Sequence, residues 1–418
     1  MDIANSQWNV LYLWYLGNPL EPIYVGVLSQ PENEEGVSLQ YSPSWLKSGF
    51  ALSQDLPLVA SVFLPTNFLM SNVHRAAGAV DDARPDRWGE KVIRFVDKPE
   101  NLSLMAYLYL AGDERFGALG VSTSAVHYLP RVASPLPVLE DAQRLRQVAS
   151  RVAAAESLLV LEAKIVAGGG SPMGGAKPKA LISIGGVPWV LKFFNNEPID
   201  APLVEHAAMT LAQKAGIRVA PTRVIQLAGF HALAIRRFDR HQGGRVHCLS
   251  AGTALRAAAP EGHEAQLSYP ALARLLKQDA KELFRRMVFN ILMDNTDDHE
   301  KNHSLLMLKP FESTQLTLAP AYDLLPTNSG QGFQEFACGT HGKDSTLVNA
   351  MSECEAFGLS KAAAGKEVMR VIDVVNTWQA HFEWVGVSQS DIDSLAQQID
   401  GEFLRSQRKG FEASCTKL

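Results

Sequence analysis

KELFRRMVFNILMDNTDDHEKNHSLLMLKPFESTQLTLAPAYD, residues 281–323, is the stretch on which the reading of this chain turns. Leu283, Phe284, Met287, Val288, Ile291 and Leu292 recur at helical spacing. Lys281, Arg285, Arg286 and Asn290 fall on the other side, so the first half reads as a helix ending at Met293. An unbroken polar run follows, Asp294 to His303, too polar to bury unless it binds something. Ser304 to Leu308 and Gln315 to Leu318 read as two short strands around Lys309-Pro310, and Ala321-Tyr322-Asp323 closes the unit. A helix feeding a carboxylate-rich loop, a hairpin and a further Asp is one way to build a metal–phosphate site.

The spacing inside the loop allows two chemistries. Asp297 and Asn302 form D-x-x-x-x-N, the ending of the protein-kinase catalytic loop, where Asp takes the substrate hydroxyl's proton and Asn holds magnesium. Asp323, across the hairpin, stands where a second magnesium-binding Asp is needed. Phosphoryl transfer is mostly positioning and charge neutralisation, so it calls for hard oxygen ligands and a lysine. His299-Glu300-Lys301-Asn302-His303 also fits H-E-x-x-H, the signature of a zinc hydrolase. That chemistry needs both histidines on one helix face. Here the helix ends before His299 and a strand follows His303, so the context fails.

The chain has 418 residues, enough for two or three domains, and is 46% hydrophobic and 20% charged, as ordinary globular proteins are. A net charge of −5 argues against the whole chain being a strong nucleic-acid binder. Cys248, Cys338, Cys354 and Cys415 are scattered without C-x-x-C pairing, as expected of reduced thiols in a cytoplasmic protein. The apolar run Val10 to Leu16 lacks a basic leader and reads as a first strand rather than a signal peptide. No stretch approaches the length of a membrane span.

Upstream of the loop, Trp8 to Tyr15, Ile23 to Leu28 and Val37 to Tyr41 read as strands, and Arg84-Pro85-Asp86-Arg87-Trp88-Gly89 as a helix start. Residues 130–139, bearing prolines, read as a link, and Glu140 to Leu161 as a long amphipathic helix or two. Gly168 to Lys179 is glycine-rich and precedes a strand, Ala180 to Ile184. Its backbone N–H groups could close around phosphate oxygens, with Lys177 or Lys179 adding charge, but it is equally a flexible linker; no G-K-[ST] makes it a Walker A loop. Val187 to Phe194 reads as a second strand, with Lys192 on an otherwise apolar face, where it either meets an anion or snorkels out. Asp200 with Pro202 starts a helix that Gly216 stops, and Glu205, in its first turn, could pair with Lys192 or simply favour the helix dipole. Thr222 to Leu227 and His231 to Arg237 read as a hairpin leading into Arg237-Phe238-Asp239-Arg240. Leu211 to Val219 resembles the centre of a helix-turn-helix, but Pro221 and the strand after it spoil the recognition helix.

With these pieces in order, the chain resembles the HipA family, serine/threonine kinases that act as toxins of type II toxin–antitoxin modules. The likeness covers nearly the whole chain. It rests first on Gly26-Val27-Leu28, Ala51-Leu52-Ser53 with Leu56-Pro57-Leu58, Pro85-Asp86-Arg87-Trp88-Gly89, and Gly112-Asp113 with Gly117-Ala118-Leu119. It rests further on Gly174-Gly175-Ala176-Lys177-Pro178-Lys179-Ala180, Arg237 to Arg240, Asn295 to Asn302, and Pro320-Ala321-Tyr322-Asp323.

The resemblance implies an α+β, protein-kinase-like two-lobed catalytic fold with a mainly helical C-terminal lobe and a small mixed N-terminal domain. Its segments are expected at 1–135 for the N-terminal domain, 136–240 for the ATP-binding lobe and 241–418 for the helical catalytic lobe. It implies ATP and Mg2+ as cofactors, Asp297 as catalytic base, and Asn302 and Asp323 as magnesium ligands. Lys192 is implied at the ATP phosphates, oriented by Glu205 and covered by the loop Ser171 to Lys179 through Gly174, Gly175, Ala176 and Lys179. Phe238, next to Arg237, is implied at the adenine and His299 beside the phosphates.

The implied partners are a HipB-like DNA-binding antitoxin, through which any contact with DNA is indirect, and a protein substrate of the aminoacyl-tRNA synthetase class. Phosphorylating that target stalls translation and leads to growth arrest or persistence. Some members silence themselves on a serine just before the Gly-Ala of the glycine-rich loop. Gly174 stands there in this chain, leaving Ser171 as the one serine of the loop. A phosphate on it would put about two negative charges where ATP's own phosphates must sit. The alternatives are a zinc hydrolase built on His299, Glu300 and His303, and a catalytically silent ATP-binding partner module.

Overall fold

The computed structural model describes residues 8–30, 36–65, 75–99, 102–131, 135–156, 177–194, 197–260 and 262–415. The expected phosphate-covering residues Ser171, Gly174, Gly175 and Ala176 lie outside them. The chain divides into two compact units. One holds Met1–Phe193, Arg236–Ala265 and Ser304–Leu316; the other holds Phe194–Ile235, Gln266–His303 and Thr317–Leu418.

The first unit is built on an antiparallel five-stranded sheet. Its strands are β1 (Val10–Tyr15), β2 (Ile23–Ser29), β3 (Ser38–Tyr41), β4 (Val62–Phe63) and β5 (Leu119–Ser122), in the order β4-β3-β2-β1-β5. A register shift between Leu13 and Trp14 lets both become buried. Ser103 caps the helix Leu104–Leu110 by accepting from the Ala106 N–H, and every residue of that helix is buried. Trp45, Phe50 and Tyr15 pack edge-on or tilted, with Trp45 Nε1 donating to the Phe50 carbonyl at 3.1 Å. A separate hairpin pairs β6 (Lys179–Ile184) with β7 (Val187–Lys192). Its turn residues, Gly185 and Gly186, have φ of +60° and +76°, the left-handed pair that a two-residue hairpin demands. β7 ends two residues sooner than the sequence suggests. Both its faces are buried at the end, so apolar alternation does not mark where pairing stops.

The second unit is mainly helical. The helix Ala280–Leu292 ends at Met293, as its periodicity predicts. Its polar side is only partly solvated, however: Lys281 is exposed, but Arg286 and Asn290 are buried as deeply as the apolar residues. The helix packs against both Tyr269–Leu275 and Lys361–Val375, and both buried residues find hydrogen-bond partners. Arg286 donates to the Ala319 carbonyl at 2.7 Å, and Asn290 to the Tyr269 hydroxyl at 3.0 Å. Asp200 caps Ala201–Lys214 by accepting from Leu203 N–H. Gly216, at φ +78°, closes that helix with bonds back to Gln213 and, through Ile217, to Ala212. β8 (Thr222–Leu227) and β9 (Phe230–Arg236) form the expected hairpin, and β8 occupies the place a recognition helix would need. The last helices are Leu347–Ser352, Lys361–Val375, Trp378–Val385, Gln389–Ile399 and Glu402–Cys415. Among the described residues, no helix is long and apolar enough to cross a membrane. Cys248, Cys338 and Cys354 are buried free thiols.

Candidate active site

The carboxylate loop begins where the Ala280–Leu292 helix stops. Asp294 turns the chain with φ +54°, a conformation that costs a residue with a side chain about 1–3 kcal/mol. The surroundings over-determine it. Its carboxylate accepts from the Ser329 and Gly330 N–H groups at 2.9 and 3.2 Å, and its carbonyl accepts from Thr327 N–H at 2.9 Å. Burial raises the Asp294 pKa against the opposing pull of those N–H groups.

Beyond this turn the loop presents its groups in two directions. Asp297 is exposed, whereas Asp298 beside it is buried. Asp298 accepts from Tyr269 Oη and lies 3.2 Å from His303 Nε2. Two consecutive aspartates give no sequence signal for which one points inward; the decision lies with Tyr269, far away in the chain.

Glu300–Asn302 is a single 3-10 turn, with His299 capping it through Nδ1, which accepts from Lys301 N–H at 3.2 Å. Asn302 is buried, and its Nδ2 donates to the Asp297 carbonyl at 3.2 Å. That bond uses the amide's donor end and leaves its oxygen as the ligand-type atom. Asp323 is half-buried at φ +58°, and its carbonyl accepts from Asn295 Nδ2 at 3.4 Å. Tyr322 next to it donates to the Lys301 carbonyl at 2.7 Å. Asp297, Asn302, His299 and Asp323 are therefore held by one set of hydrogen bonds within a single unit. The H-E-x-x-H residues do not share a helix face, because His303 is extended and stacks on Phe336 with centroids 5.4 Å apart. Among the described residues, no three His, Cys, Asp or Glu side chains gather as a metal cage. An amide and one or two carboxylates suit magnesium, which takes its remaining ligands from phosphates and water. Glu205 sits in the fifth position of its helix, past the first turn, and is fully buried. An N-terminal dipole preference is thus not what places it.

The other residues belong to the first unit. Lys179 and Lys192 face one another across the β6–β7 hairpin, and both are buried. Two ammonium groups so placed need counter-charge. Lys179 has it in Asp86, Nζ to Oδ2 2.7 Å, with both side chains less than a tenth exposed. Asp86 also caps the helix Arg87–Val96, its Oδ1 accepting from Gly89 N–H at 2.7 Å. Trp88 Nε1 donates to the Lys179 carbonyl at 2.8 Å. The motif Pro85 to Gly89 is thus a clasp on β6, a role the sequence reading missed because the two partners lie 93 residues apart.

Arg237 is similarly engaged. Its guanidinium donates bidentately to Asp239 at 2.9 and 2.7 Å, and also to the Glu114 carboxylate and to the Glu114 and Arg115 carbonyls. Asp239 further accepts from Arg240 and from Gly117 N–H, each at 2.9 Å. Burial works to raise the Asp239 pKa, but Arg237 and Arg240 overcome it and hold the carboxyl far below the usual range. Arg240 is pushed down to about 10, by burial first and then by Arg237. The four-residue motif therefore staples the turn at Glu114–Gly117 and leaves Phe238, half-buried, edge-on to Phe116 at 6.4 Å.

Comparison with known proteins places the chain in a family. Residues 171–379 match the HipA-like C-terminal domain and residues 20–122 match the HipA N-terminal domain. A Sinorhizobium fredii protein named "Putative kinase Y4dM" is 32% identical over 156 residues, covering 33% of this chain and 37% of that protein. The HipA of Shewanella oneidensis MR-1, solved as a HipA, HipB and operator DNA complex, superposes with a TM-score of 0.66 at 17% identity. That superposition covers 96% of this chain and 97% of that one. The fold is accordingly the α+β fold of HipA, and with both domain matches in the expected order the chain belongs to the HipA family.

Proposed function

We propose that this chain is an ATP- and Mg2+-dependent serine/threonine protein kinase acting as the toxin of a toxin–antitoxin module. The observation that carries the reading is that the backbones of Asp297 and Asp323 are each held by a side-chain amide of the same unit, one by Asn302 and the other by Asn295. Loops of this composition at a helix end are common; a backbone held in place where it carries hard-oxygen side chains is what phosphoryl transfer needs.

In this reading the exposed Asp297 carboxylate accepts the proton of the acceptor hydroxyl. That oxygen takes the γ-phosphoryl group, the bond to the β-phosphate oxygen breaks, and ADP leaves. Asn302 and Asp323 offer hard oxygens to Mg2+, which when bound supplies the positive charge that offsets the phosphates. Lys192 meets the phosphates, oriented by Glu205, and His299 stands beside them. The loop through Ser171, Gly174, Gly175 and Ala176 covers the nucleotide, and Phe238 receives the adenine. Lys179 and Arg237 act through the frame: one fixes β6 to the Asp86 clasp, the other fixes the turn that presents Phe238. The segments 1–135, 136–240 and 241–418 serve as HipA-like N-terminal domain, ATP-binding lobe and helical catalytic lobe. The partner is a HipB-like antitoxin, by likeness to the Shewanella complex. The substrate is a cytoplasmic protein of the aminoacyl-tRNA synthetase class.

The test is growth. Induction of the wild-type chain in a bacterial host arrests growth, and Asp297→Gln, folded to the same unfolding temperature, does not. Arrest by the variant at equal expression defeats the proposal.

A further inference from the structure

Asp298, Asn290, Asn295 and His303, all from the stretch 290–303, and Tyr269, some twenty residues upstream, are polar and are all at most 3% exposed. Apart from Asn295, already met as the tether of Asp323, none has entered the proposed function above, and none is among the reacting groups. Such a cluster is costly to bury unless every bond is made. The bonds run in one continuous line. His303 Nε2 donates to Asp298 at 3.2 Å, and Tyr269 Oη donates to the same carboxylate. Asn290 Nδ2 donates to Tyr269 Oη at 3.0 Å, Asn295 Nδ2 to Asn290 Oδ1 at 3.1 Å, and Asn295 Nδ2 to the Asp323 carbonyl at 3.4 Å.

The direction of this line is forced. A carboxylate can only accept, so the Tyr269 hydroxyl must donate to Asp298 and is left as acceptor for Asn290. Asn290 then has its oxygen for Asn295, whose amide hydrogens reach Asn290 and Asp323. The aromatic packing fixes the same groups from the side: Tyr269 lies 4.9 Å from Phe336 and 5.1 Å from His303, and Phe336 N–H donates to the Asp298 carbonyl at 2.9 Å.

The line also ends in telling places. Asp298 adjoins Asp297, His303 adjoins Asn302, and the far end binds Asp323 itself. We infer that Tyr269, Asn290, Asn295 and Asp298 are positioning residues that set the backbone carrying Asp297, Asn302 and Asp323, and so tune metal affinity at that site. This inference rests on the kinase reading. These side chains are at most 3% exposed, so they would act on a bound metal only through the three residues they hold. Losing a bond in such an outer shell typically weakens metal binding about ten- to hundredfold.

The experiment titrates Mn2+ into the full chain with a non-hydrolysable ATP analogue, following free Mn2+ by electron paramagnetic resonance. Asn295→Ala weakens Mn2+ binding about ten- to hundredfold. Tyr269→Phe, which keeps the ring packing and removes only the hydroxyl, shifts affinity the same way. In phosphate transfer both variants raise the KM for Mg2+ and recover wild-type kcat at saturating Mg2+. A control, Val371→Ala in the core of Lys361–Val375, lowers the unfolding temperature without changing Mn2+ affinity. Should Asn295→Ala fail to fold, Tyr269→Phe alone decides. Wild-type Mn2+ affinity in folded Tyr269→Phe overturns the inference, since the line would then serve stability only. A wild-type chain that binds no Mn2+ with nucleotide removes the kinase reading, and this inference with it; the wild-type titration alone distinguishes that case.

Discussion

His247 offers a direct quantitative check on the first unit. Its ring is 1% exposed and edge-on to Phe50 at 5.4 Å, and Nε2 donates to the Leu52 carbonyl at 2.7 Å. Nδ1 is buried with no hydrogen-bond partner among the described residues. A proton on Nδ1 would put charge into apolar surroundings, so burial pushes the pKa from 6.5 down to about 4, against the smaller pull of the Leu52 carbonyl. With the folded value below the unfolded one, nothing is lost above about pH 6.5. As pH falls further the unfolded chain takes the proton first, and the loss grows until the folded ring protonates. The full difference is worth about 3 kcal/mol, of which about 2.5 kcal/mol is reached by pH 4.5.

The perturbation is His247→Gln, whose amide can still donate to Leu52 but does not titrate. Urea unfolding is followed by tryptophan fluorescence, which reports mainly on this unit: Trp8, Trp14, Trp45, Trp88 and Trp189 lie in it, against Trp378 and Trp384 in the other. Between pH 7.5 and 4.5 the wild type should lose about 1 M more of its urea midpoint than the variant. Other titrating groups cancel in that difference. Equal losses in the two proteins would refute the burial argument.

Asp239→Ala leaves two buried guanidinium groups to share the single carboxylate of Glu114 and should cost the first unit about 3–5 kcal/mol, read as a fall in the same fluorescence midpoint. A loss under about 1 kcal/mol, the scale of a surface pair, would contradict the staple assigned to it. Lys192→Met should abolish thermal stabilisation by ATP and Mg2+ while leaving the unliganded unfolding temperature within a few degrees. Undiminished stabilisation by ATP would remove Lys192 from the phosphates. Asp86→Asn keeps a good helix cap but removes the charge opposite Lys179, so its helix should persist by circular dichroism while the unit loses more stability than an exposed pair explains. An unchanged unfolding midpoint would show the clasp to be idle.

Local patterns carried most of the fold. The periodicity of Leu283 to Leu292, the cap at Asp200 with the stop at Gly216, and the glycine turn between β6 and β7 each involve neighbours within a few residues, and each was readable. The α+β class and the HipA family followed from the order of such blocks. What the chain could not disclose was which polar residues turn inward. Arg286 and Asn290 look like a solvated helix face until two further helices cover them. Asp298 cannot be told from Asp297 until Tyr269 is in place. Nothing near Lys179 in the sequence announces its ion pair with Asp86, which comes from a distant helix start. Arg286 does have a local counter-charge in Glu282, but the elements that bury these residues are remote in sequence, and no period or spacing records them.

The central claim is that Asp297 serves phosphoryl transfer, and the most direct measurement follows the phosphate. Purified chain is incubated with ATP labelled on its γ-phosphate, Mg2+ and bacterial lysate, beside the same reaction with Asp297→Gln. A labelled lysate protein that requires Mg2+ and disappears with the variant is the predicted result. Label that persists with Asp297→Gln, or no label on any protein although the wild type binds ATP, would contradict it.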